Sequence, residues 1–158
     1  MTLITIITPT FNCASTLDAT LESVVSQDFT DFEYWLIDGG STDGTRDRLA
    51  AIQDPRVRWI SEPDRGIYDA MNKGIDRARG RYLLFLGADD LLLPGSLRAI
   101  SDHLPATDRT LVYGNVYWGN TGHIYGGRFS RFTLCQRNIC HQSIFFGRDV
   151  FALVGKYV

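Results

Sequence analysis

Acidic side chains recur just after apolar runs in this 158-residue sequence. Asp38 ends one run, Asp64 follows another closely, and Asp89 and Asp90 come directly after a third. In an open α/β sheet, the carboxyl ends of the strands share one edge, where ligands bind. Carboxylates gathered there repel one another unless hydrogen bonds or a bound cation compensate. Mg²⁺ or Mn²⁺ bridging to phosphate oxygens would compensate, and this predicts Asp89 and Asp90 as metal ligands.

Each of these groups also has a purely structural interpretation. Asp89 and Asp90 could cap a helix that begins near Pro94, and the step from Asp38 to Gly40 could be only a tight turn. Arg65 could pair with a diphosphate through its planar guanidinium, or it could remain a solvated charge. The residues alone leave these alternatives open.

Two further polar side chains are candidates for the site. Asn72 lies on a segment with helical spacing and could face a sugar. His141 precedes an apolar run, where an imidazole could bind a metal, orient an acceptor hydroxyl, or simply be a buried histidine with satisfied hydrogen bonds.

Strands and helices alternate along the chain. Runs rich in β-branched and aromatic residues predict strands over 3–8, 32–37, 57–60, 82–86 and 110–117. Helical spacing predicts helices over 15–26, 43–52, 67–78 and 94–104, with Ser41 or Thr42 capping the second and Pro94 at the start of the fourth. This order predicts an α/β fold, a Rossmann-like, mostly parallel sheet with helices on both faces.

Glycines separate short aromatic stretches after about residue 119, and this pattern predicts hairpins or a flap there. We therefore expect an α/β domain over 1–118 and a region of different character over 119–158.

Charge and composition argue against a nucleic-acid partner, a secretory signal and a membrane span. The net charge is −2 with both signs mixed along the chain, which argues against a nucleic-acid partner. The N-terminal run has neither the basic region nor the length of a secretory signal, and no stretch approaches the roughly 20 apolar residues of a membrane span. Three cysteines without a C-x-x-C pair favour a reducing compartment. We expect a cytoplasmic protein without a transmembrane segment.

Five segments resemble the family 2 glycosyltransferases, which have the GT-A fold. They are Thr8-Pro9-Thr10-Phe11-Asn12, the Asp38–Thr45 segment, Phe85-Leu86-Gly87-Ala88-Asp89-Asp90, the Glu62–Gly74 segment and the Asn138–Phe146 segment. The last two resemble a branch that assembles bacterial capsule, exopolysaccharide and lipopolysaccharide. The similarity covers nearly the whole chain. It implies that 1–118 is a nucleotide-sugar-binding α/β domain and that 119–158 is the start of an acceptor-side region, which is incomplete.

The resemblance implies roles for individual residues. Thr8 and Thr10 would line the nucleoside pocket, Asp38 would accept hydrogen bonds from the uracil or ribose, and Asp89 would be the principal metal ligand beside Asp90. With the strand-end candidates, the predicted nucleotide-binding set is Thr8, Pro9, Thr10, Asn12, Asp38, Gly40, Arg65, Asn72, Ala88 and Asp89. The sequence departs from the family motifs at Gly39 and Gly87, where an aspartate is usual.

The implied reaction moves a glycosyl group, with inversion, from a nucleoside diphosphate sugar to an acceptor hydroxyl. The resemblance implies a UDP-linked donor, Mn²⁺ or Mg²⁺, and a saccharide or lipid-linked saccharide acceptor in cell-envelope or extracellular polysaccharide assembly. A lipid-linked acceptor would place the protein at the inner face of the cell membrane. The family's catalytic carboxylate base would fall beyond Val158, so we expect a truncated C-terminal part, with Asp149 only at a helix start.

Other protein classes remain as alternatives. The turn after the first strand lacks G-x-G-x-x-G, which argues against a dinucleotide-dependent oxidoreductase. It also lacks the glycine-rich basic loop expected of a nucleotidyltransferase that makes nucleotide sugars. A nucleotide-sugar-binding module without turnover is the third alternative.

Overall fold

A six-stranded sheet forms the centre of the molecule. The computed structural model describes residues 2–158, with only the backbone of Asn120. The strands are β1 (Ile4–Thr10), β2 (Phe32–Asp38), β3 (Val57–Ser61), β4 (Tyr82–Phe85), β5 (Leu111–Tyr113), β6 (Val116–Trp118), β7 (His123–Tyr125) and β8 (Ile144–Gly147). The helices are α1 (Leu17–Val25), α2 (Thr45–Ala50), α3 (Ile67–Arg77), α4 (Ser96–Ser101), α5 (Arg131–Leu134) and α6 (Asp149–Val154).

The main sheet is mostly parallel, as predicted. Its strand order is β3-β2-β1-β4-β8-β5. The first four of these strands pair in parallel, whereas β8 pairs antiparallel with both β4 and β5. The carboxyl ends of β1, β2, β3 and β4 therefore meet at one edge, where the sequence predicts the ligand site.

Helices cover both faces of the sheet, which confirms the predicted architecture. Successive residues of a strand point to opposite faces, so Ile6 packs with α1, α2 and α4, while Ile7 packs with α3. The contact with α3 is close because Gly74 lacks a side chain: a Cβ there would stand 2.4 Å from Cγ2 of Ile7. α3 is thereby held tightly on the sheet, with its N-terminus at the ligand edge.

Some predicted boundaries are wrong. The single strand over 110–117 is broken at Gly114, whose amide donates to the Ser143 carbonyl, so that β6 leaves the main sheet and pairs with β7. The hairpin predicted for the glycine-rich region is this β6–β7 pair. The predicted boundary after residue 118 falls inside it, and β8 then returns to the main sheet, so the division of functions between the two parts stays a prediction.

The predicted helix caps are also wrong. α2 begins at Thr45 after Gly44, whose φ of 98° is left-handed, and Ser41 turns instead towards Asp38. α4 begins at Ser96 after a left-handed Gly95, so Pro94 precedes the helix. Glycines, rather than hydroxyl caps, start both helices.

None of the helices in residues 2–158 combines the length and apolar character needed to cross a bilayer.

Candidate functional site

Two adjoining cavities lie at the carboxyl edge of the sheet. The first cavity has a volume of about 680 Å³ and the second about 460 Å³. Both are bordered by Pro9, Ile67, Ala88 and Asp89. Because these four residues belong to both linings, the two cavities form one groove, with Asp89 at the junction.

Asn12 joins the loop after β1 to the loop after β2. Its amide N–H donates to Ser41 Oγ at 2.8 Å, and its side-chain Oδ1 accepts from the Thr42 amide at 2.9 Å. Asn12 adopts φ 49°, a left-handed conformation that asparagine tolerates better than most residues. The wall of the first cavity is therefore fixed before any ligand arrives.

Asp43 joins the same two loops a little further out. Its carboxylate accepts from the Ala14 amide at 2.9 Å and from the hydroxyl and amide of Thr45. The Thr45 hydroxyl and the Ala14 amide lower the pKa of Asp43 to about 2. Asp43 is thus ionised at neutral pH and helps to set the shape of the loops.

Asp38 is fully buried, and its carboxylate accepts hydrogen bonds from neighbouring residues of the protein. Burial would raise its pKa, but hydrogen bonds from the Ser41 and Ser61 hydroxyls and from the Gly40 and Ser41 amides outweigh burial and leave the pKa below its ordinary value. The Thr10 hydroxyl is also 3.4 Å from Oδ1. In this structure Asp38 organises the loop that follows β2, and its contact with uracil or ribose stays a prediction.

Asp64 occupies the space that a side chain at position 39 would need. A Cβ built on Gly39 would stand 2.5 Å from Asp64 Oδ2. The other carboxylate oxygen, Oδ1, accepts from the Gly66 amide at 2.9 Å, which fixes the side chain against the cavity. Asp64 and Gly39 both line the first cavity. A side chain at position 39 and Asp64 in its present position therefore exclude each other.

Two carboxylates crowd the space beside Gly87. A Cβ built there would stand 2.5 Å from Asp90 Oδ2 and 3.1 Å from Asp89 Oδ1, so both carboxylates converge beside Gly87. Neither carboxylate accepts a hydrogen bond from any described residue, and no described group of three or more acidic, His or Cys side chains is placed to hold a metal. Two converging carboxylates without donors fit a Mg²⁺ or Mn²⁺ ion that takes its remaining ligands from phosphate and water.

His141 lies in the wall of the second cavity, stacked on Phe85 at a centroid distance of 5.4 Å. Burial lowers its pKa, so the ring is neutral at pH 7. Its Nε2 is 2.7 Å from the Tyr157 hydroxyl. Burial, with the neighbouring Tyr68, raises the pKa of Tyr157 to about 12, so an uncharged pair forms this wall.

Asn72 holds Tyr157 in place rather than facing a cavity. Its Nδ2 donates to the Tyr157 carbonyl at 2.8 Å, and its Oδ1 accepts from the Tyr157 amide at 3.0 Å. The Tyr157 ring in turn stacks on Tyr68 at 5.3 Å, and both rings border the second cavity. Asn72 is therefore a positioning residue here, and its predicted contact with the nucleotide stays a prediction.

The structure brings part of the predicted set to the groove. Pro9, Thr10, Asn12, Ala88 and Asp89 line the first cavity, and Asp90 and His141 line the second. The remaining predicted residues lie outside both linings: Thr8 is buried and accepts from the Tyr34 hydroxyl, Gly40 donates to Asp38, Arg65 is 92% exposed beside Asp69, and Asp38 and Asn72 have the internal partners described above.

Asp64, Tyr68 and Tyr157 are among the residues that border the groove without belonging to the predicted set. The position of Asp64 after a strand and of Tyr68 in the Glu62–Gly74 segment are signals for these two residues, whereas no local pattern indicates Tyr157. Asp149 lies in the first turn of α6, 3.9 Å from Arg109, and borders neither cavity.

Curated proteins similar to this chain are bacterial glycosyltransferases. A PGL/p-HBAD biosynthesis glycosyltransferase of Mycobacterium bovis is 46% identical over 96% of the chain, and the chain spans 62% of that relative's length. An Escherichia coli UDP-Glc:alpha-D-GlcNAc-diphosphoundecaprenol beta-1,3-glucosyltransferase is 29% identical over 78% of the chain and is matched over 49% of its own length.

Solved structures with the same fold include a mannosyltransferase and TarS, each in complex with a nucleotide sugar. A mannosyltransferase of Pyrobaculum calidifontis in complex with GDP-Man and Mn²⁺ has a TM-score of 0.76 at 21% identity, over 98% of this chain and 47% of that one. S. aureus TarS with UDP-GlcNAc has a TM-score of 0.75 at 18% identity, over 95% and 46%. These similarities confirm the GT-A fold. The sequence profile of glycosyl transferase family 2 matches residues 5–152, so the chain belongs to that family.

Proposed function

We propose that the chain binds a nucleoside diphosphate sugar in the first cavity and presents it to an acceptor hydroxyl in the second. The observation that carries this proposal is the continuity of the groove, with Asp89 at the junction of its two parts. Transfer between two substrates requires that both reach one point, and the junction supplies it.

The residues around the first cavity suit a nucleotide. The loops after β1 and β2 are joined by Asn12 and Asp43, so the wall costs little to order when the nucleotide binds. Asp64 offers a carboxylate acceptor to donor groups of the base or ribose. We propose UDP as the nucleotide, on the family resemblance and because TarS, of the same fold, is solved with UDP-GlcNAc.

Asp89 and Asp90 would hold a Mn²⁺ or Mg²⁺ ion. Such an ion would neutralise negative charge that develops on the leaving diphosphate. The fit rests on the two carboxylates that converge beside Gly87, and Mn²⁺ accompanies the donor in the Pyrobaculum enzyme of the same fold.

The second cavity would receive the acceptor. Tyr68 and Tyr157 offer an aromatic face, and neutral His141 offers a hydrogen-bonding group. We propose transfer with inversion, for which a carboxylate base must take the acceptor proton. The position of that base beyond Val158 stays a prediction.

The biological setting follows from the relatives' names. One acts in PGL/p-HBAD biosynthesis, and the name of another specifies a diphosphoundecaprenol-linked acceptor. We propose that the whole protein glycosylates a saccharide or lipid-linked acceptor in cell-envelope or extracellular polysaccharide assembly, in the cytoplasm or at the inner face of the cell membrane.

A donor screen tests this proposal. Thermal unfolding would be measured with UDP- and GDP-linked sugars in the presence of Mn²⁺, for the wild type and for Asp64→Ala. Stabilisation by one nucleotide sugar, reduced in Asp64→Ala and unchanged in the exposed control Asp102→Ala, is the expected result. Binding without any transfer or donor hydrolysis would favour the binding-module alternative, and release of diphosphate from a nucleoside triphosphate and a sugar phosphate would favour a nucleotidyltransferase.

A further inference from the structure

The segment from Arg109 to Arg148 has an unusual charge pattern. It contains five of the chain's 16 basic residues and none of its 18 acidic residues. The rest of the chain is therefore acidic overall, and positive charge is concentrated in the part that carries the β6–β7 hairpin and α5.

The same segment exposes large apolar side chains. At the end of the hairpin, which we call the hairpin tip, Tyr117 is 57% exposed, Trp118 63% and Ile124 52%. Tyr117 and Ile124 are directly paired across the two strands, so they lie on the same face of the hairpin. On α5, Phe132 is 73% exposed. Trp118 follows Tyr117 in the strand and points to the opposite face, so large apolar side chains are exposed on both sides of the hairpin tip. Together with Phe132 they expose more apolar surface than isolated side chains would, which indicates that this part of the molecule binds something.

Contacts with neighbouring parts of the segment hold the base of the hairpin. The Tyr125 hydroxyl donates to the Asn138 carbonyl, and the Arg137 guanidinium lies 5.4 Å from the centre of the Tyr125 ring. The Gly127 amide donates to Asn115 Oδ1 at 2.8 Å. The tip therefore projects on a preformed support, and no described side chain outside the hairpin stacks on Trp118.

Two arginines beside these apolar groups have no acidic partner. Arg128 and Arg131 are exposed, and among the described residues neither forms an ion pair. Arginines together with tryptophan and tyrosine suit the boundary between lipid headgroups and acyl chains, where the rings lie at headgroup depth and the cations meet anionic lipids. A nucleic acid fits less well, because the rest of the chain is acidic and the aliphatic Ile124 would have no role there.

We infer that the hairpin tip and α5 form a docking surface for an anionic membrane, with Tyr117, Trp118 and Phe132 inserted at the interface and Arg128 and Arg131 on the lipid phosphates. Docking would bring the second cavity towards the bilayer, because Asn138, which accepts from Tyr125, is three residues before His141. That consequence rests on the proposed function, whereas the docking itself does not.

Vesicle sedimentation tests this inference with the chain as it is. The probes are phosphatidylcholine vesicles with and without about a third of phosphatidylglycerol, at low and high salt. We expect binding only to the anionic vesicles, weakened by salt. Tyr117→Ser with Trp118→Ser, and separately Arg128→Glu with Arg131→Glu, should each reduce the partition coefficient by at least about tenfold.

Matched variants elsewhere on the molecule serve as controls. Trp59→Ser removes another exposed tryptophan, and Arg46→Glu with Arg79→Glu makes the same change of charge on exposed residues outside the segment. Both should bind as the wild type does. Equal loss in these controls would overturn the inference, as would equal binding to neutral vesicles.

A second measurement needs only a conservative substitution of an exposed side chain. Brominated lipids in anionic vesicles should quench the fluorescence of Trp118 in the wild type, and most of this quenching should disappear in Trp118→Phe. Quenching that persists in Trp118→Phe would contradict the inference. Sedimentation as a dimer, lost in Tyr117→Ser with Trp118→Ser, would assign the surface to a second copy of the chain and overturn membrane docking.

Discussion

Asp64 lies where a side chain at position 39 would lie: a Cβ built on Gly39 would stand 2.5 Å from Asp64 Oδ2. In the present conformation Asp64 therefore fills the space that a side chain at position 39 would need. Exchanging the residue types of these two positions tests this relationship.

Gly39→Asp alone should weaken UDP binding at least about tenfold, equivalent to roughly 1.4 kcal/mol, because two carboxylates would compete for one space. Gly39 does not have a left-handed φ, so its backbone accepts a side chain. Asp64→Gly alone should also weaken binding, and the double variant should recover most of the affinity. Calorimetric titration of the four proteins with UDP measures this, and additive losses in the double variant would contradict this relationship.

Asp38→Ala should reduce the free energy of unfolding by about 1–3 kcal/mol, because the Ser41 and Ser61 hydroxyls would remain without their acceptor. UDP binding should weaken at the same time, since the loop after β2 loses its support. Urea unfolding measures the first effect, with the exposed Asp102→Ala as control. Unchanged stability together with weaker UDP binding would instead favour direct contact between Asp38 and the nucleotide.

His141 should make the stability depend on pH below neutrality. Burial lowers its pKa in the folded state, so the unfolded state binds more protons as the pH falls below about 6.5. The stabilisation is fully present above that pH and is lost as the pH falls towards the folded pKa. Urea unfolding at pH 7 and pH 5 should show a smaller loss for His141→Gln than for the wild type or the exposed His103→Gln. Equal losses in all three would remove His141 as the cause.

Asn72→Ala should disturb the second cavity but not the first. Its amide makes both hydrogen bonds to the Tyr157 backbone, so its loss should free Tyr157 and expose His141. UDP affinity should change less than about twofold, while hydrogen exchange of the Tyr157 amide should accelerate at least about tenfold, equivalent to roughly 1.4 kcal/mol. A large loss of UDP affinity with unchanged exchange would support the original assignment of Asn72 to the nucleotide.

The ligand edge could be predicted from the sequence because apolar runs alternate with helical segments and end in polar residues. Pro9, Thr10 and Asp89 border the first cavity at this edge, and their roles in nucleotide binding stay predictions. The direction of individual side chains could not be predicted in the same way. Arg65 follows a strand, yet its side chain points to solvent. Asp38 accepts hydrogen bonds from the hydroxyls of Ser41 and Ser61, which come from two different parts of the chain.

Long-range contacts account for what the sequence did not reveal. Asn72 and Tyr157 are 85 residues apart, and no local pattern joins them. β8 enters the main sheet between β4 and β5 in the antiparallel direction, which an alternation of strands and helices does not predict. The break between β5 and β6 likewise depends on Ser143, far along the chain.

We propose that the groove binds a nucleoside diphosphate through a divalent metal held by Asp89 and Asp90. The most direct measurement is the calorimetric affinity for UDP with Mn²⁺ and with chelator, in the wild type and in Asp89→Asn. We predict at least about tenfold tighter binding with Mn²⁺ in the wild type, a coupling of roughly 1.4 kcal/mol that Asp89→Asn largely abolishes and that UMP does not show. Equal affinity with Mn²⁺ and with chelator, or equal enhancement by Mn²⁺ in Asp89→Asn, would contradict the claim.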